Sequence, residues 1–294
     1  MTKKITISYK AQLTAILCIV MSAPGIGYAA SFDYGGKAGL EHFKWEEFDP
    51  NDGSKLLTES GTREMVSGFI GNTLKANRHF IYRGEAKLYF GTVNYDGGTQ
   101  EYRNQPSVSV QSDTTYSGIK VEGEAGFRTG EVDSSFAWDF VGRYGVDSWV
   151  REIAASRASD GTPTGKAQEE YTILNLSVGT GPNWRSGNWQ GRLIAGLKYP
   201  FYTYEYVSKD YTNYDRDVTL EPKGQISPFL NFNNNILLTN RLWLTIEAFY
   251  DSYRFNQSDS VIVLDYYDGF YKSVVQPKSQ QDNYGVQIGV SVSL

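Results

Sequence analysis

The sequence predicts an all-β protein, a closed antiparallel up-and-down transmembrane β-barrel of about ten strands, with roughly eight to twelve allowed. Two observations predict this fold. Residues 283–294 alternate apolar with small or polar side chains, the period of a strand with one apolar face. The chain is also polar on average, with a mean hydropathy of -0.42, yet it is 15% aromatic. Alternating lipid-facing and lumen-facing residues with aromatic girdles produce that combination.

The N-terminus has the three parts of a secretory signal. Lysines up to Lys10 form the basic region, residues 11–21 the apolar core, and a small-x-small cleavage site ends at Ala29. We expect residues 1–29 to be a cleaved signal peptide and residues 30–294 to form a single barrel domain. The apolar core is far shorter than the roughly 20 residues of a membrane-spanning helix.

Composition excludes several classes of protein. The only cysteine, Cys18, lies in the predicted signal, so the mature chain has neither disulfides nor thiolate metal sites. Cleavage also removes basic residues only, which makes the mature chain more acidic than the net charge of -5 of the whole sequence. An acidic chain is a poor partner for nucleic acid.

Taking the alternation in order predicts ten strands. They cover residues 31–45, 64–76, 80–90, 116–128, 136–147, 171–179, 189–202, 223–233, 242–254 and 283–294.

In the first five strands, every second residue is apolar and is predicted to face lipid. These residues are Phe32, Tyr34, Ala38 and Leu40; Val66, Ile70 and Leu74; Phe80, Tyr82, Ala86, Leu88 and Phe90; Ile119, Val121, Ala125 and Phe127; and Phe136, Trp138, Phe140, Tyr144 and Val146.

The later strands repeat the pattern, most clearly from Leu193 to Phe201 and from Leu244 to Tyr250. Residues 223–233 are the weakest prediction because Pro228 cannot donate to a ladder.

The connections alternate between long and short. The first long loop begins at Asp49, and four more cover residues 94–115, 149–170, 204–221 and 255–282. The turns at 77–79, 129–134 and 181–187 are short. Outer-membrane barrels have long external loops and short periplasmic turns, so both chain ends are expected on the periplasmic side. The segment Val261 to Leu264 within the fifth loop could form an extra hairpin.

Charged residues occupy the predicted lumen. The cations are Lys37, Arg83, Lys87, Lys120, Arg128, Arg143, Arg192, Lys198 and Lys223, and the anions are Glu41, Glu85, Glu122, Glu124, Asp139, Asp147, Glu247 and Asp251. Because the signs nearly balance in a narrow barrel, we expect ion pairs that plug the lumen. A proton or ion path is the alternative.

Groups suited to catalysis are sparse. The two histidines, His42 and His79, are predicted at opposite ends of the barrel and therefore cannot share a site. Acidic turns at residues 49–53, 94–98 and 265–269 offer oxygen ligands for calcium, but Asp and Gly are also what tight turns require. Turn chemistry is the favoured interpretation.

The fourth loop is rich in tyrosine and aspartate. Its candidate recognition residues are Tyr204, Tyr206, Asp210, Tyr211, Tyr214, Asp215 and Asp217. Tyrosine provides a large contact area at low entropic cost, so these tyrosines, together with Tyr202, Tyr266, Tyr267 and Tyr271, could bind a surface ligand. The same tyrosines could instead form the outer aromatic girdle.

Ten strands, long external loops and a charged interior resemble the omptin proteases and, more loosely, the ten-stranded adhesin barrels. The omptin resemblance implies acidic residues and an Asp-x-His pair on facing external loops. The corresponding loop here, residues 209–217, contains acids but no histidine. Outer-membrane phospholipases and lipid A acylhydrolases also resemble this size class, but they use a histidine with a serine, and no His-x-Ser spacing occurs. The chain ends in Leu294 where such barrels usually end in Phe.

The sequence therefore predicts a monomeric, non-enzymatic barrel of a Gram-negative outer membrane, with no cofactor and no metal. Its expected partners are outer-membrane lipids, lipopolysaccharide, the barrel-assembly machinery and an unknown surface ligand contacted by the external loops. An omptin-like surface hydrolase using loop carboxylates and a narrow channel remain the alternatives.

Overall fold

A computed structural model of the protein describes residues 32–73, 79–98, 108–130, 134–267 and 269–294. It is a closed barrel of 10 antiparallel strands, which confirms the predicted fold class. The strands are β1 (Asp33–Phe48), β2 (Lys55–Gly71), β3 (Phe80–Gly98), β4 (Ser109–Thr129), β5 (Phe136–Ile153), β6 (Ala167–Ser186), β7 (Trp189–Val207), β8 (Ser227–Leu237), β9 (Leu242–Asn256) and β10 (Lys278–Ser293). The predicted signal peptide lies outside the described residues.

The last strand closes the barrel. β10 pairs with β9 on one side and with β1 on the other, in a register that runs from Asp33 opposite Ser293 to Phe48 opposite Lys278. The Leu294 amide donates to the Phe32 carbonyl at 2.9 Å, so both described chain ends lie at the end of the barrel that carries the short turns.

An apolar belt surrounds the barrel. Its exposed, outward-facing residues include Tyr34, Leu40, Val66, Ile70, Phe80, Leu88, Phe90, Phe127, Phe136, Phe140, Tyr144, Leu176, Val178, Leu197, Tyr199, Phe201, Leu230, Val286, Ile288 and Val290. Above His42, Glu64 and Tyr202, most outward side chains are polar. The belt therefore marks the membrane-spanning part, and the strands continue beyond it as an external extension.

Several strands are longer than predicted because the contrast between their faces reverses above the belt. In β1, Leu40 faces out, whereas Phe43 and Trp45 are buried inside the barrel and Lys44 faces solvent. Apolar side chains face lipid within the membrane and face the barrel interior outside it. The alternation continues with its phase inverted, so β1 extends to Phe48.

Two predicted boundaries are wrong for reasons of local chemistry. The predicted turn at residues 181–187 is mostly strand, and the reversal occurs at Gly187, whose φ is +55°. Gly181 and Pro182 of β6 remain paired with β5. The pairing of β6 with β7 is interrupted at these two residues, because proline has no N–H to donate. The predicted strand 223–233 is interrupted, with Lys223–Gln225 pairing with β9 beyond the start of β8.

The external loops contain structure of their own. Val261–Asp265 and Phe270–Val274 form the extra hairpin considered for the fifth loop, and Val218–Leu220 extends the fourth loop along β7. The only helical element in the described part of the chain is a single 3₁₀ turn, Lys209–Tyr211. None of the described residues forms a helix long and apolar enough to cross a membrane.

Candidate functional sites in the lumen and at the external mouth

The lower lumen is filled by a chain of ion pairs centred on Asp139. Arg128 Nε lies 2.7 Å from Asp139 Oδ1, and Arg192 Nε lies 2.7 Å from Asp139 Oδ2. Arg192 continues to Glu124 at 2.8 Å, and Glu124 accepts from Arg143 Nε at 2.8 Å. Asp139 is fully buried, so its charge depends on these two guanidinium groups rather than on water.

Two further groups of charges fill the middle of the lumen. Lys37 pairs with Glu85 at 2.8 Å and also with Glu247, while Arg83 lies 2.7 Å from Glu85.

On the other side of the lumen, Asp251 pairs with Lys120 at 2.5 Å and with Lys198. Lys120 also lies 3.8 Å from Glu122, and Tyr89 donates to Asp147 at 2.6 Å. The predicted inward charges thus meet one another across the barrel, at spacings that leave little room between them.

A polar cavity of about 70 Å³ remains among these groups, with Lys87, Ser177 and Asn233 in its lining. Lys87 is in no ion pair with a described residue, and its Nζ lies 4.0 Å from the centroid of the Phe249 ring. The cavity is large enough for only a few water molecules.

The predicted inward position of Lys223 is wrong. Because the strand breaks before β8, Lys223 is exposed at the rim and pairs with Asp259 at 2.6 Å.

An aromatic layer lies above the lumen charges. Its buried residues are Phe43, Trp45, Met65, Tyr89, Val93, Tyr116, Trp149, Tyr171, Ile173, Tyr253 and Phe255. Arg63 is buried in this layer, 4.0 Å from the Phe43 ring centroid, and pairs with Glu41 at 2.6 Å. A packed layer of rings and one paired cation adds a second barrier across the barrel.

A cluster of buried and half-buried glutamates lies above the aromatic layer. We call Glu47, Glu59, Glu169, Glu205 and Arg151 the mouth cluster. Arg151 reaches three of the carboxylates, at 3.3 Å from Glu47, 2.8 Å from Glu59 and 2.7 Å from Glu169. The cluster lies in the external extension, beyond the apolar belt. Four carboxyl groups therefore surround a single cation.

Burial and like charge perturb two of these carboxyl groups. Burial, followed by the neighbouring Glu169 and Glu47, raises the pKa of Glu205 well above its usual range. Burial also raises the pKa of Glu169, although Arg151 opposes the shift. Glu205 Oε2 is buried without a hydrogen-bond partner among the described residues. The cluster is thus an ionisable site with an excess of acids.

The fourth and fifth loops pack together. Val218, Leu220 and Val263 form a small buried core that Tyr214 covers. Asp215 accepts a hydrogen bond from the Leu264 amide at 3.0 Å, which ties the fourth loop to the fifth-loop hairpin. We call residues 209–220 with the hairpin 261–274 the loop platform.

The predicted recognition residues divide into four groups. Tyr204 and Tyr206 belong to β7 rather than to a loop, and Tyr214 packs in the platform core. Asp215 and Asp217 accept hydrogen bonds from backbone amides of the loops. Asp217 accepts from the Lys209 amide at 3.1 Å.

Asp210 and Tyr211 are exposed. The most exposed aromatics lie instead on the hairpin, where Tyr266, Tyr267 and Tyr271 are 68%, 78% and 74% exposed.

The remaining polar candidates have structural surroundings. His42 contacts the Tyr284 ring, whereas His79 stacks on Phe127 at the opposite end of the barrel. In the turn at 49–53, Asp49 accepts from the Asn51 amide at 2.7 Å and Gly53 has a φ of +73°. The described residues include no group of three or more His, Asp or Glu side chains arranged to hold a metal ion.

The sequence did not point to the mouth cluster. The predicted strands end at the belt, so Glu59, Arg151, Glu169 and Glu205 fall in predicted loops and Glu47 lies just beyond the end of the first predicted strand. Their signal was present as inverted alternation, for example Phe43, Trp45 and Glu47 on one face of β1.

Together the closed barrel, the apolar belt and the charged lumen have the fold of Gram-negative outer-membrane β-barrels, with omptin-like topology. No protein-family model and no curated protein matches the sequence. The structure is similar to the outer membrane protease OmpT from Escherichia coli, with a TM-score of 0.62, 9% identity, and 90% of this chain and 97% of that chain covered.

Two other solved barrels align less well. The translocator domain of the autotransporter NalP from Neisseria meningitidis has a TM-score of 0.40 at 10% identity, over 96% of this chain and 95% of that chain. Neisserial surface protein A has a TM-score of 0.32 at 9% identity, over 90% and 98%. At these identities the likeness concerns the fold alone.

Proposed function

We propose that the protein is a non-enzymatic outer-membrane barrel whose external loops contact lipopolysaccharide or another surface ligand. The observation that carries the proposal is the contrast between a filled lumen and a folded external surface. Ion pairs and the aromatic layer fill the barrel, whereas the loop platform is held by its own buried core and by the bond between Asp215 and the Leu264 amide. A preorganised surface loses less conformational entropy on binding.

The filled lumen predicts that the protein does not conduct ions across a bilayer. Refolded mature protein in a planar bilayer is expected to show no reproducible unitary conductance, because each ion would have to displace buried ion pairs. Heat-modifiable migration on a gel provides the control that the barrel is folded. Regular unitary steps from folded protein would overturn the plug and make a narrow channel the working hypothesis.

One side of the external extension is suited to anionic lipid headgroups. Lys44, Lys55, Arg254 and Lys278 lie on the adjacent strands β9, β10, β1 and β2, in the external extension above the belt; we call them the basic band. Two carboxylates accompany them, since Glu46 pairs with both Lys44 and Lys55, and Asp282 pairs with Arg254. The band keeps an excess of positive charge.

The opposite side of the extension carries the opposite sign. Asp96, Asp113, Glu152 and Glu170 belong to strands β3 to β6, at the corresponding height above the belt. Phosphate groups of the outer leaflet are therefore expected to gather at the basic band, which gives the barrel a lipid-binding side.

A triple substitution tests this lipid contact. Changing Lys44, Lys55 and Lys278 to Gln is expected to weaken lipopolysaccharide binding roughly hundredfold, since each basic residue near an anionic surface contributes about 1 kcal/mol. The measurement is lipopolysaccharide titrated onto detergent-solubilised protein. The control is Lys166→Gln, an exposed lysine of the acidic side that pairs with Glu152. Equal binding by the triple variant and the control would contradict the proposal.

The hairpin tyrosines are the second part of the proposed surface. Three exposed tyrosines beside a packed hairpin offer a rigid contact area for a surface ligand. Changing Tyr266, Tyr267 and Tyr271 to Ser is expected to remove ligand capture by whole cells without loss of folded barrel. A matched control is Tyr284→Ser, because Tyr284 is 53% exposed but lies at the top of the lipid-facing belt.

A further inference from the structure

The mouth cluster has more negative charge than its surroundings compensate. Its four carboxyl groups come from β1, β2, β6 and β7, and Arg151 of β5 is the one cation among them in the described chain. Glu59 and Glu205 are 0% and 1% exposed, respectively. Burying an uncompensated carboxylate costs several kcal/mol, so a buried excess of acids must acquire positive charge from solution.

Hydrogen bonding distinguishes the four carboxyl groups. Both oxygens of Glu59 accept hydrogen bonds, Oε1 from Thr114 at 2.9 Å and from Arg151, and Oε2 from Tyr116. Glu47 Oε1 accepts from Trp45 Nε1 at 2.9 Å and from Gln276 Nε2 at 3.1 Å. The described residues thus supply donors to both oxygens of Glu59 and to Oε1 of Glu47.

Glu205 is placed differently. It faces Glu169 and Tyr171 on the neighbouring strand β6, and the Tyr171 hydroxyl donates to Glu169 Oε2 at 3.3 Å. The Tyr171 hydroxyl also lies near Glu205 and lowers its pKa against the larger effect of burial, but Glu205 Oε2 accepts no hydrogen bond from a described residue. A carboxyl oxygen with no donor and a second acid beside it is suited to carry a hydrogen.

We propose that the mouth cluster is a proton-binding site in which Glu205 Oε2 carries a proton at neutral pH and shares it with Glu169. The bound species is a proton rather than a metal ion, because the described acids do not form a metal-holding group. Protonation removes one negative charge and converts an unpartnered acceptor into a donor. Other groups facing this layer are Tyr95 and Tyr116, whose pKa values burial raises, so they stay neutral across the same range.

The site is connected to the fifth loop. Gln276, whose side chain donates to Glu47, also forms two hydrogen bonds with Ser258. The Gln276 backbone amide donates to Ser258 Oγ at 2.9 Å, and the Ser258 backbone amide donates to the Gln276 carbonyl at 3.0 Å. These bonds close the base of the loop that carries the hairpin. Loss of the proton from Glu205 would add repulsion against Glu47 and Glu169 and loosen this base. This regulatory consequence rests on the proposed function, whereas the proton site does not.

Infrared titration tests the proton site directly. Mature protein in detergent micelles is expected to show the C=O band of a protonated carboxyl group at neutral pH, and the band should disappear on alkaline titration. Glu205→Gln should abolish that band, Glu169→Gln should shift it, and the control Glu170→Gln, whose side chain faces outward on the same strand, should leave it unchanged. Absence of the band at neutral pH would overturn the proposal. So would its loss on adding sodium or calcium at constant pH, which would assign the site to a metal cation.

Hydrogen exchange tests the link to the loop. At mildly alkaline pH, amides of residues 258–276 are expected to exchange at least about tenfold faster in the wild type than in Glu205→Gln, the factor that corresponds to one pKa unit. At mildly acidic pH the two proteins should exchange alike. Equal rates at both pH values would refute the link. A titrating band together with no ligand capture by the hairpin would instead refute the proposed function and leave the proton site standing.

Discussion

Replacing Asp139 with Ala is expected to lower the free energy of unfolding by about 3–5 kcal/mol, the range found when one partner of a buried ion pair is removed. Asp139 is fully buried and receives Arg128 and Arg192 at 2.7 Å each. Without it, two guanidinium groups face each other in the lower lumen. Arg192 retains Glu124, whereas Arg128 loses Asp139 and keeps its bond to the Thr73 carbonyl at 3.3 Å.

Denaturant unfolding in detergent micelles, followed by tryptophan fluorescence, measures this loss. Asp113→Ala makes the same chemical change at an exposed position of β4 and should cost less than about 0.5 kcal/mol. If both variants unfold at the same denaturant concentration, the lumen ion pairs contribute nothing beyond filling space.

Arg151→Leu is expected to have the second large effect, and the effect should depend on pH. Near neutral pH, the loss of the one cation leaves the mouth carboxylates uncompensated, which should cost about 3–5 kcal/mol. At acidic pH, the variant should regain most of the lost free energy of unfolding. A carboxyl group whose folded-state pKa is raised stabilises the fold below its unfolded pKa and loses that contribution as pH rises through the folded value. Glu205 and Glu169 already have raised pKa values, and the substitution removes the Arg151 charge that opposes both shifts.

The control for this substitution is Lys166→Leu, which removes an exposed cation paired with Glu152 nearby. Its stability should follow the wild type at every pH. A loss in Arg151→Leu that stays constant from acidic to alkaline pH would show that packing against Trp45, not charge, is the main contribution of Arg151.

The barrel itself was readable from the sequence because lipid imposes a strong contrast between neighbouring residues. Leu40, Leu88 and Val286 alternate with charged or small side chains, and only a closed sheet satisfies every backbone group in a membrane. The same contrast identified the inward positions of residues such as Asp139 and Lys198. Which cation pairs with which carboxylate could not be predicted, because partners such as Lys120 and Asp251 come from strands far apart in the sequence.

Above the membrane that contrast becomes misleading. Thr62 and Lys44 face water while Trp45 and Phe43 face the interior, so a search for apolar residues facing lipid ends each strand too early. For this reason, every residue of the mouth cluster lies outside the predicted strands. The predicted position of Lys223 is wrong for a different reason. The strand is interrupted at residue 226, so Lys223 lies at the rim rather than in the lumen.

The pairing of β1 with β10 also governs how the chain must mature. Asp33 and Ser293 form a side-chain hydrogen bond of 2.5 Å across 260 positions, and sixteen residue pairs join the same two strands. Until synthesis and transport are complete, β1 has one unsatisfied edge and an apolar face with no lipid around it. Such high contact order slows folding and exposes the chain to aggregation. Survival in transit is therefore expected to depend on holdase chaperones, and slow closure of this seam should limit the rate at which folded barrels accumulate.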